Sequence, residues 1–179
     1  MGLAIPILAS EVPGNYVTSA LWNANVYNGL TYAQQPPDFV GYQSTAQSIP
    51  TSSWTTLNFD TSPTDTYGGH SAVTNPSRYT CQVGVPGWYT CCGVYAPTGN
   101  ATGFRAVKMQ VNGVAVLGGA AYINAGAAVE LGVVTPTKDV FLNVGDYVEI
   151  CGYQNTGSAL NTILDGDLRT GLWVRWSHA

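Results

Sequence analysis

Few residues in this chain of 179 are of a type and spacing suited to acid–base or metal chemistry. His70 follows Asp65 by five residues but has no second carboxylate or thiol at ligand spacing, so we interpret it as a loop residue rather than a metal ligand. His178 is next to last in the chain and is expected to be exposed. The segment Asp165-Gly166-Asp167 has two carboxylates but lacks the downstream acidic ligand of a calcium loop, which favours an ordinary turn.

The sequence also lacks the short motifs of common enzymes. It has no Gly-x-Ser-x-Gly elbow, no phosphate-binding loop and no dinucleotide fingerprint. We therefore predict that the protein is not an enzyme and that it has no metal site and no cofactor.

The four cysteines are Cys81, Cys91, Cys92 and Cys151. Cys91 and Cys92 are adjacent and therefore point to opposite faces of any strand that contains them. The other two lie in apolar stretches, and no pair has the spacing of metal ligands. This favours free, buried thiols that act as small hydrophobic side chains, with one disulfide as the alternative that the sequence leaves open.

The composition limits the kinds of partner. Charged residues make up 9% of the chain, against about 25% in a typical soluble domain, while hydrophobic residues make up 45% and aromatic residues 11%. Such a chain is not disordered, and we expect neighbouring chains to cover much of its surface. Six scattered cations and a net charge of −4 argue against a nucleic-acid partner. No apolar run approaches the ~18 residues of a membrane span, and residues 1–10 lack the cationic start of a signal peptide, so we expect no membrane partner.

The first 38 residues contain one predicted helix. Thr18 or Ser19 is a suitable N-cap for a helix over residues 20–28, which we expect to fray at Gly29 and to end before Pro36-Pro37. Its apolar side chains lie on more than one face, which is typical of a helix buried among partners. The alternative is that the helix packs back on the following domain.

Residues 39–179 are predicted to be all β. Asn112-Gly113 between Val111 and Val114 is a strong signal for a two-residue hairpin, and Gly145-Asp146 and Thr61-Ser62-Pro63 mark further turns. Many short strands at this spacing are typical of a sandwich or barrel. The predicted strands are residues 39–44, 54–59, 78–83, 87–95, 105–111, 114–117, 129–134, 140–142, 147–153 and 171–177.

Several segments resemble a known family when they are taken in order. They are Ile49-Pro50-Thr51-Ser52-Ser53-Trp54, Asp65-Thr66-Tyr67-Gly68-Gly69-His70-Ser71, Val85-Pro86-Gly87-Trp88-Tyr89, Asn143-Val144-Gly145-Asp146-Tyr147 and Leu172-Trp173-Val174-Arg175-Trp176. The set resembles the jelly rolls of complement globular heads and tumour necrosis factor, in the divergent form found in tail and capsid-decoration proteins of actinobacterial phages. Residues 17–23 and Pro36-Pro37 resemble the lead-in segment of those phage proteins.

The resemblance implies a jelly-roll sandwich of about ten strands that assembles as a homotrimer. It implies a structural protein of a bacteriophage virion, a minor tail or capsid-decoration protein, that is assembled in the host cytoplasm and contacts other virion proteins. Residues 1–38 would form the attachment arm and residues 39–179 the jelly roll, with residues 45–179 expected to fold without the arm. The candidate attachment residues are Leu21, Trp22, Val26 and Tyr27.

Tyr89, Tyr147 and Trp173 are predicted to lie in the core or at the trimer interface, because each belongs to a strand-like segment with apolar neighbours. The alternative function is a receptor- or glycan-binding tip of the phage particle. In that case Trp54, Trp88, Trp173 and Trp176 are the candidates to stack on the sugars of a host-surface glycan.

Overall fold

The computed structural model describes residue 14, residues 16–124 and residues 128–179. The apolar start at residues 1–10 lies outside this part of the chain, so the expectation that it is not a signal peptide stays a prediction.

The helix begins at Ser19, where the Oγ1 atom of Thr18 accepts a hydrogen bond from the Leu21 backbone N–H at 3.2 Å. The segment α1 (Ser19–Trp22) is followed by a π-helical turn (Asn23–Tyr27) and by α2 (Asn28–Gln34). The expected fraying at Gly29 is therefore wrong, because one glycine costs a helix only about 1 kcal/mol and its neighbours keep their helical hydrogen bonds. The helix ends before the two prolines, as predicted.

Sixteen strands follow within the described residues. Their bounds are β1 Asp38–Tyr42, β2 Ser48–Ile49, β3 Thr55–Thr56, β4 Thr61–Asp65, β5 His70–Ser71, β6 Asn75–Thr80, β7 Gly87–Tyr95, β8 Phe104–Val111, β9 Val114–Asn124, β10 Val133–Val134, β11 Lys138–Leu142, β12 Tyr147–Gln154, β13 Leu160–Asn161, β14 Leu164–Asp165, β15 Leu168–Arg169 and β16 Gly171–His178.

Two antiparallel sheets form the sandwich. In the first sheet the order is β7-β16-β1-β4, and both β10 and β11 pair with the free side of β7. In the second sheet the order is β5-β6-β12-β8-β9, and β3 also pairs with β12. This architecture confirms the all-β sandwich that the sequence predicts.

The strand predictions succeed best where the side chains alternate regularly. β7 has the predicted bounds, and the hairpin at Asn112-Gly113 is confirmed, with φ values of 51° and 78° that fit a type I′ turn. The turn predicted at Thr61-Ser62-Pro63 is wrong, because these residues belong to β4. This strand lies at the edge of the first sheet, where a proline without an N–H is tolerated.

The core lies between the two sheets and is rich in aromatic side chains. Tyr89 is fully buried in it, and its hydroxyl donates to the Val85 carbonyl oxygen at 2.6 Å. Burying a side chain of this size contributes about 2–3 kcal/mol. Other buried members of the core are Phe39, Ile49, Leu57, Phe59, Tyr79, Tyr95, Val107, Met109, Leu142, Ile150, Leu172 and Val174.

The end of the helix packs on the β sandwich. The Tyr32 ring lies 5.3 Å from the Trp176 ring and 5.7 Å from the Tyr67 ring, and burial raises the pKa of Tyr32 to about 12. The Pro37 carbonyl oxygen accepts a hydrogen bond from the Trp176 N–H at 2.8 Å. Because β1 begins at Asp38 and pairs on both sides, the range 45–179 leaves out a strand inside the first sheet.

Candidate interaction surfaces

The outer side of the first sheet carries two groups of apolar side chains, separated by a row of polar and charged residues, Asp38, Arg175, Thr90 and Asp139. Along β7 the residues alternate, so that Tyr89 and Cys91 face the core while Trp88 and Cys92 face outward. Cys92 lies opposite Trp173 of β16. We call this surface the apolar face, and its members are Val40, Tyr42, Trp88, Cys92, Val94, Val134, Phe141 and Trp173.

In the single chain, large aromatic rings of the apolar face are exposed to solvent. Trp88 and Trp173 are each 39% exposed, and the Trp88 ring contacts the rings of Phe141 at 5.6 Å and His178 at 6.1 Å. At one end Tyr42 and Trp173 line a cavity of about 330 Å³. The predicted candidate Trp173 therefore lies on an outer surface and not in the core.

The cavity is closed on one side by the hairpin of β14 and β15. Its turn contains Gly166 and Asp167, which confirms that Asp165-Gly166-Asp167 is an ordinary turn. The Arg169 guanidinium lies 5.7 Å from the Tyr42 ring. A cation therefore borders the apolar face at the cavity.

β9 is the second apolar surface. It forms one edge of the second sheet, and most of its eleven residues are exposed. Its pairing with β8 is interrupted between Ala115 and Ala120, and Leu117 in this bulge is 93% exposed. An exposed, apolar edge strand is a template for association with another chain.

The outer side of the second sheet carries a polar network around Glu149, which is 3% exposed. Its carboxylate accepts hydrogen bonds from Gln110 Nε2 at 2.7 Å and Ser77 Oγ at 3.0 Å, and it lies 3.6 Å from Arg78 Nε. The Arg78 guanidinium lies 3.8 Å from the centre of the Tyr147 ring. The predicted candidate Tyr147 is thus half-buried beside this network.

A group of four aromatic rings lies beside the network on the same side of the sheet. We call it the aromatic cluster, and it consists of Trp54, Phe104, Tyr122 and Tyr153. Neighbouring rings lie 5.2–6.4 Å apart and form a closed cycle. The Lys108 Nζ atom lies 4.7 Å from the Trp54 ring. The sequence singled out Trp54 alone, because only the sheet register brings the other three rings to it.

The four candidate attachment residues lie along the first two turns of the helical arm. Leu21 and Val26 are half-buried, while Trp22 and Tyr27 are exposed. No side chain in the described helical segments is fully buried. None of the described helices has the length and apolar character required to cross a membrane.

His70 has a structural position. It lies in β5 and not in a loop, because the Asp65 carboxylate accepts the backbone N–H groups of Gly69 and His70 and folds the chain back. Its Nδ1 atom lies 2.7 Å from the Arg78 carbonyl oxygen and its Nε2 atom 2.9 Å from the Phe59 carbonyl oxygen. Both ring nitrogens are therefore occupied by the backbone, and in the described residues no group of three or more His, Cys, Asp or Glu is placed to hold a metal.

All four cysteines are free thiols, which resolves the alternative that the sequence left open. Cys81, Cys91 and Cys151 are buried, and burial raises the pKa of the Cys91 thiol and raises that of Cys151 to about 11. Cys92 is half-buried on the apolar face.

Comparison with known proteins identifies the fold. No protein-family model and no curated protein sequence matches the chain. The solved structures similar to it include the globular domain of zebrafish complement 1qA protein (TM-score 0.58, 14% identity, 80% of this chain and 99% of that chain), murine APRIL (0.57, 10%, 78% and 98%) and the TNF protein Eiger from S. frugiperda (0.50, 11%, 80% and 92%). At these identities the similarity establishes the fold alone. The chain has the β jelly roll of the C1q and TNF domains.

Proposed function

We propose that the protein is a structural subunit of a bacteriophage virion that assembles as a homotrimer through its jelly roll and attaches to the particle through its helical arm. The observation that carries the proposal is the apolar face, whose exposed rings need a covering partner. The phage origin is supported by the sequence segments that resemble phage tail and capsid-decoration proteins.

Two surfaces of one chain suit each other as halves of the trimer contact. The apolar face is broad and contains the cavity beside Trp173, whereas the bulged part of β9, residues 115–120, is a narrow edge from which Leu117 protrudes. A contact between two different surfaces is heterologous, and it gives a closed ring when the rotation between subunits closes. A homotrimer is the smallest ring of this kind, and the C1q and TNF fold is consistent with it.

The helical arm is the proposed attachment segment. Trp22 and Tyr27 expose aromatic rings to the surroundings of the single chain, and Tyr32 fixes the end of the arm on the sandwich. An arm that is held at one end and exposes aromatic side chains along its free part suits docking on another virion protein. We propose that the arm remains accessible in the trimer and binds the capsid or the tail.

The test measures the mass of the oligomer in solution and the incorporation of the same preparation into phage particles. Light scattering at micromolar concentration should give three times 18.9 kDa, and the protein should bind to particles that lack it. The double variant Trp22→Ala, Tyr27→Ala should keep the trimer mass and lose binding to the particles, while the control Val73→Ala in an exposed loop should change neither. A monomer in solution, or full incorporation of the double variant, would contradict the proposal.

A shorter and a longer deletion separate attachment from folding. Removing residues 1–30 should leave a folded trimer that does not incorporate, because Tyr32 and β1 remain. Removing residues 1–35 should also lower the melting temperature, because the Tyr32 contacts with Tyr67 and Trp176 are lost. Equal melting temperatures would show that the end of the arm adds nothing to the domain.

The second candidate function is a receptor- or glycan-binding tip of the same particle. The specific observation in its favour is the aromatic cluster, which lies on the opposite side of the sandwich from the apolar face. A subunit that assembles through the apolar face and the bulged part of β9, residues 115–120, leaves the aromatic cluster on the outer side of the second sheet available for a ligand.

A further inference from the structure

We infer that the aromatic cluster and Lys108 form a binding site for an anionic saccharide, a sugar ring that carries a carboxylate or a phosphate. The inference rests on the second proposed function and names the ligand class and the residues for it. The four rings come from segments that are distant in sequence. Trp54 lies just before β3, and the other three rings lie in β8, β9 and β12.

The sheet register explains why the rings gather at one point. Ala106 of β8 lies opposite Tyr122 on β9 and opposite Tyr153 on β12. Its small side chain is fully buried and leaves room for the larger rings on both sides. Phe104 lies two residues before Ala106 on the same face of β8, and its ring stacks on that of Tyr153 at 5.3 Å.

Packing of the core does not account for the cluster. The core lies on the other side of this sheet, and Tyr122 is 65% exposed. Phe104, Tyr122, Ile123 and Asn124 line a cavity of about 250 Å³ that opens to the surface. Binding sites for small ligands combine apolar and aromatic walls with a few polar groups that fix orientation, and here the exposed Asn124 amide is such a group.

A sugar ring fits this combination of groups. One face of a pyranose presents C–H groups, which pack on aromatic rings such as Tyr122 and Phe104, while its rim presents hydroxyl groups that donate and accept hydrogen bonds. Tyr122 and Tyr153 contribute rings with a polar end, and the Asn124 amide both donates and accepts. A flat apolar ligand would leave these polar groups without a role.

The local charge favours an anionic ligand. Lys108 lies between two small neighbours, Ala120 and Cys151, and its ammonium is held over the Trp54 ring. The acidic residue in the next outward position, Glu149, is already engaged by Arg78, Gln110 and Ser77. Within the described part of the chain no carboxylate forms an ion pair with Lys108, so its charge remains available to a ligand.

The experiment titrates the full-length protein with two matched trisaccharides, one ending in glucuronic acid and one ending in glucose, and follows binding by NMR. A third titration with inorganic phosphate tests whether the anion alone binds. We expect the acidic trisaccharide to bind most tightly and phosphate alone to bind very weakly. Equal affinity for both trisaccharides would overturn the assignment of an anionic ligand, and absence of binding to both would overturn the site.

Three variants locate the site. Tyr122→Ala should raise the Kd of the acidic trisaccharide by about tenfold, the equivalent of about 1.4 kcal/mol. Tyr122→Phe should keep most of the affinity because it keeps the ring. The control is Val73→Ala, which truncates an exposed side chain in a loop outside the aromatic cluster and should leave the Kd unchanged.

Lys108→Gln should weaken binding of the acidic trisaccharide by about fivefold, the size of an exposed charge contact, and leave the glucose form unchanged. A Tyr122→Ala protein that binds as the wild type does would overturn the inference, and so would loss of the trimer mass in that variant, because the cluster would then be part of the subunit contact. Trimer mass and incorporation into particles are measured separately, so failure of saccharide binding leaves the proposed structural role standing.

Discussion

The two outer sides of the sandwich are both formed by antiparallel sheets, but their chemistry differs. On the first sheet most outward positions are apolar, and one row of polar and charged side chains crosses the face between its two apolar groups, namely Asp38, Arg175, Thr90 and Asp139. On the second sheet the outward positions hold a buried carboxylate, an ion pair and a ring of aromatic side chains that satisfy one another. The first side lacks partners within the chain and the second side supplies its own. This contrast supports our proposals that assembly uses the first side and that the aromatic cluster on the second side binds a ligand.

The largest expected effect is on the apolar face. Trp173→Glu places a charge on a surface that the proposed trimer buries, and each of the three copies loses a side chain whose burial contributes about 2–3 kcal/mol. We expect a folded monomer by light scattering and an unchanged circular dichroism spectrum. Val73→Glu adds the same charge to an exposed loop and should remain trimeric. If Trp173→Glu also remains trimeric, the apolar face is not the subunit contact.

On the second sheet we expect a substitution to lower the stability of the fold and to leave the trimer intact. Glu149→Ala leaves the nearly buried Gln110 amide without its acceptor and removes the partner of Arg78. We expect the free energy of unfolding to fall by about 2–3 kcal/mol, measured by denaturation in urea, with the trimer mass retained. A matched substitution is Asp139→Ala on β11, whose exposed carboxylate accepts from Thr90 and should cost less than about 1 kcal/mol. Loss of the trimer in Glu149→Ala would remove the contrast between the two sides.

A smaller effect is expected at the end of the sandwich, where Asp146 joins two turns. Its carboxylate accepts hydrogen bonds from the Asn112 side chain at 2.8 Å and from the Asn143 backbone N–H at 2.8 Å, and these bonds hold the pKa of Asp146 below its ordinary value. A depressed pKa in the folded state stabilises the fold above the unfolded pKa, and this stabilisation is lost as the pH falls below about 4. Because the group is exposed, Asp146→Asn should lower the free energy of unfolding by less than about 1 kcal/mol. In this variant the melting temperature should depend less on pH between pH 5 and pH 2. An unchanged pH dependence would show that the bonds contribute nothing.

The finest probe of the comparison is the thiol on the apolar face. Cys92 is half-buried in the single chain, and burial raises the pKa of its thiol, while the other three cysteines are buried. We expect slow alkylation of Cys92 in the trimer, faster alkylation in Trp173→Glu, and a rate that increases with pH because the thiolate is the reacting form. Cys92→Ser identifies the labelled site. Equal rates in the trimer and in Trp173→Glu would mean that the apolar face is open in both.

The sequence by itself determined the fold class and the main strands. Regular alternation in residues 87–95 and the Asn112-Gly113 pair specify local backbone geometry, so both were predictable from neighbouring residues. The helix start was predictable for the same reason, since Thr18 caps it within three residues. β4 was missed because Pro63 argues against a strand unless the strand is known to lie at an edge, and only the sheet order provides that information.

The tertiary structure alone decided which surfaces the molecule presents. Tyr89, Tyr147 and Trp173 looked alike in sequence, yet one lies in the core, one beside an arginine and one on an outer face. The aromatic cluster joins residues up to 99 positions apart, from Trp54 to Tyr153, and Tyr32 of the arm proved to pack on the sandwich. The physical reason is that a strand's periodicity tells which residues share a face, but the register between strands and the packing of the sheets determine which face is buried and which side chains meet.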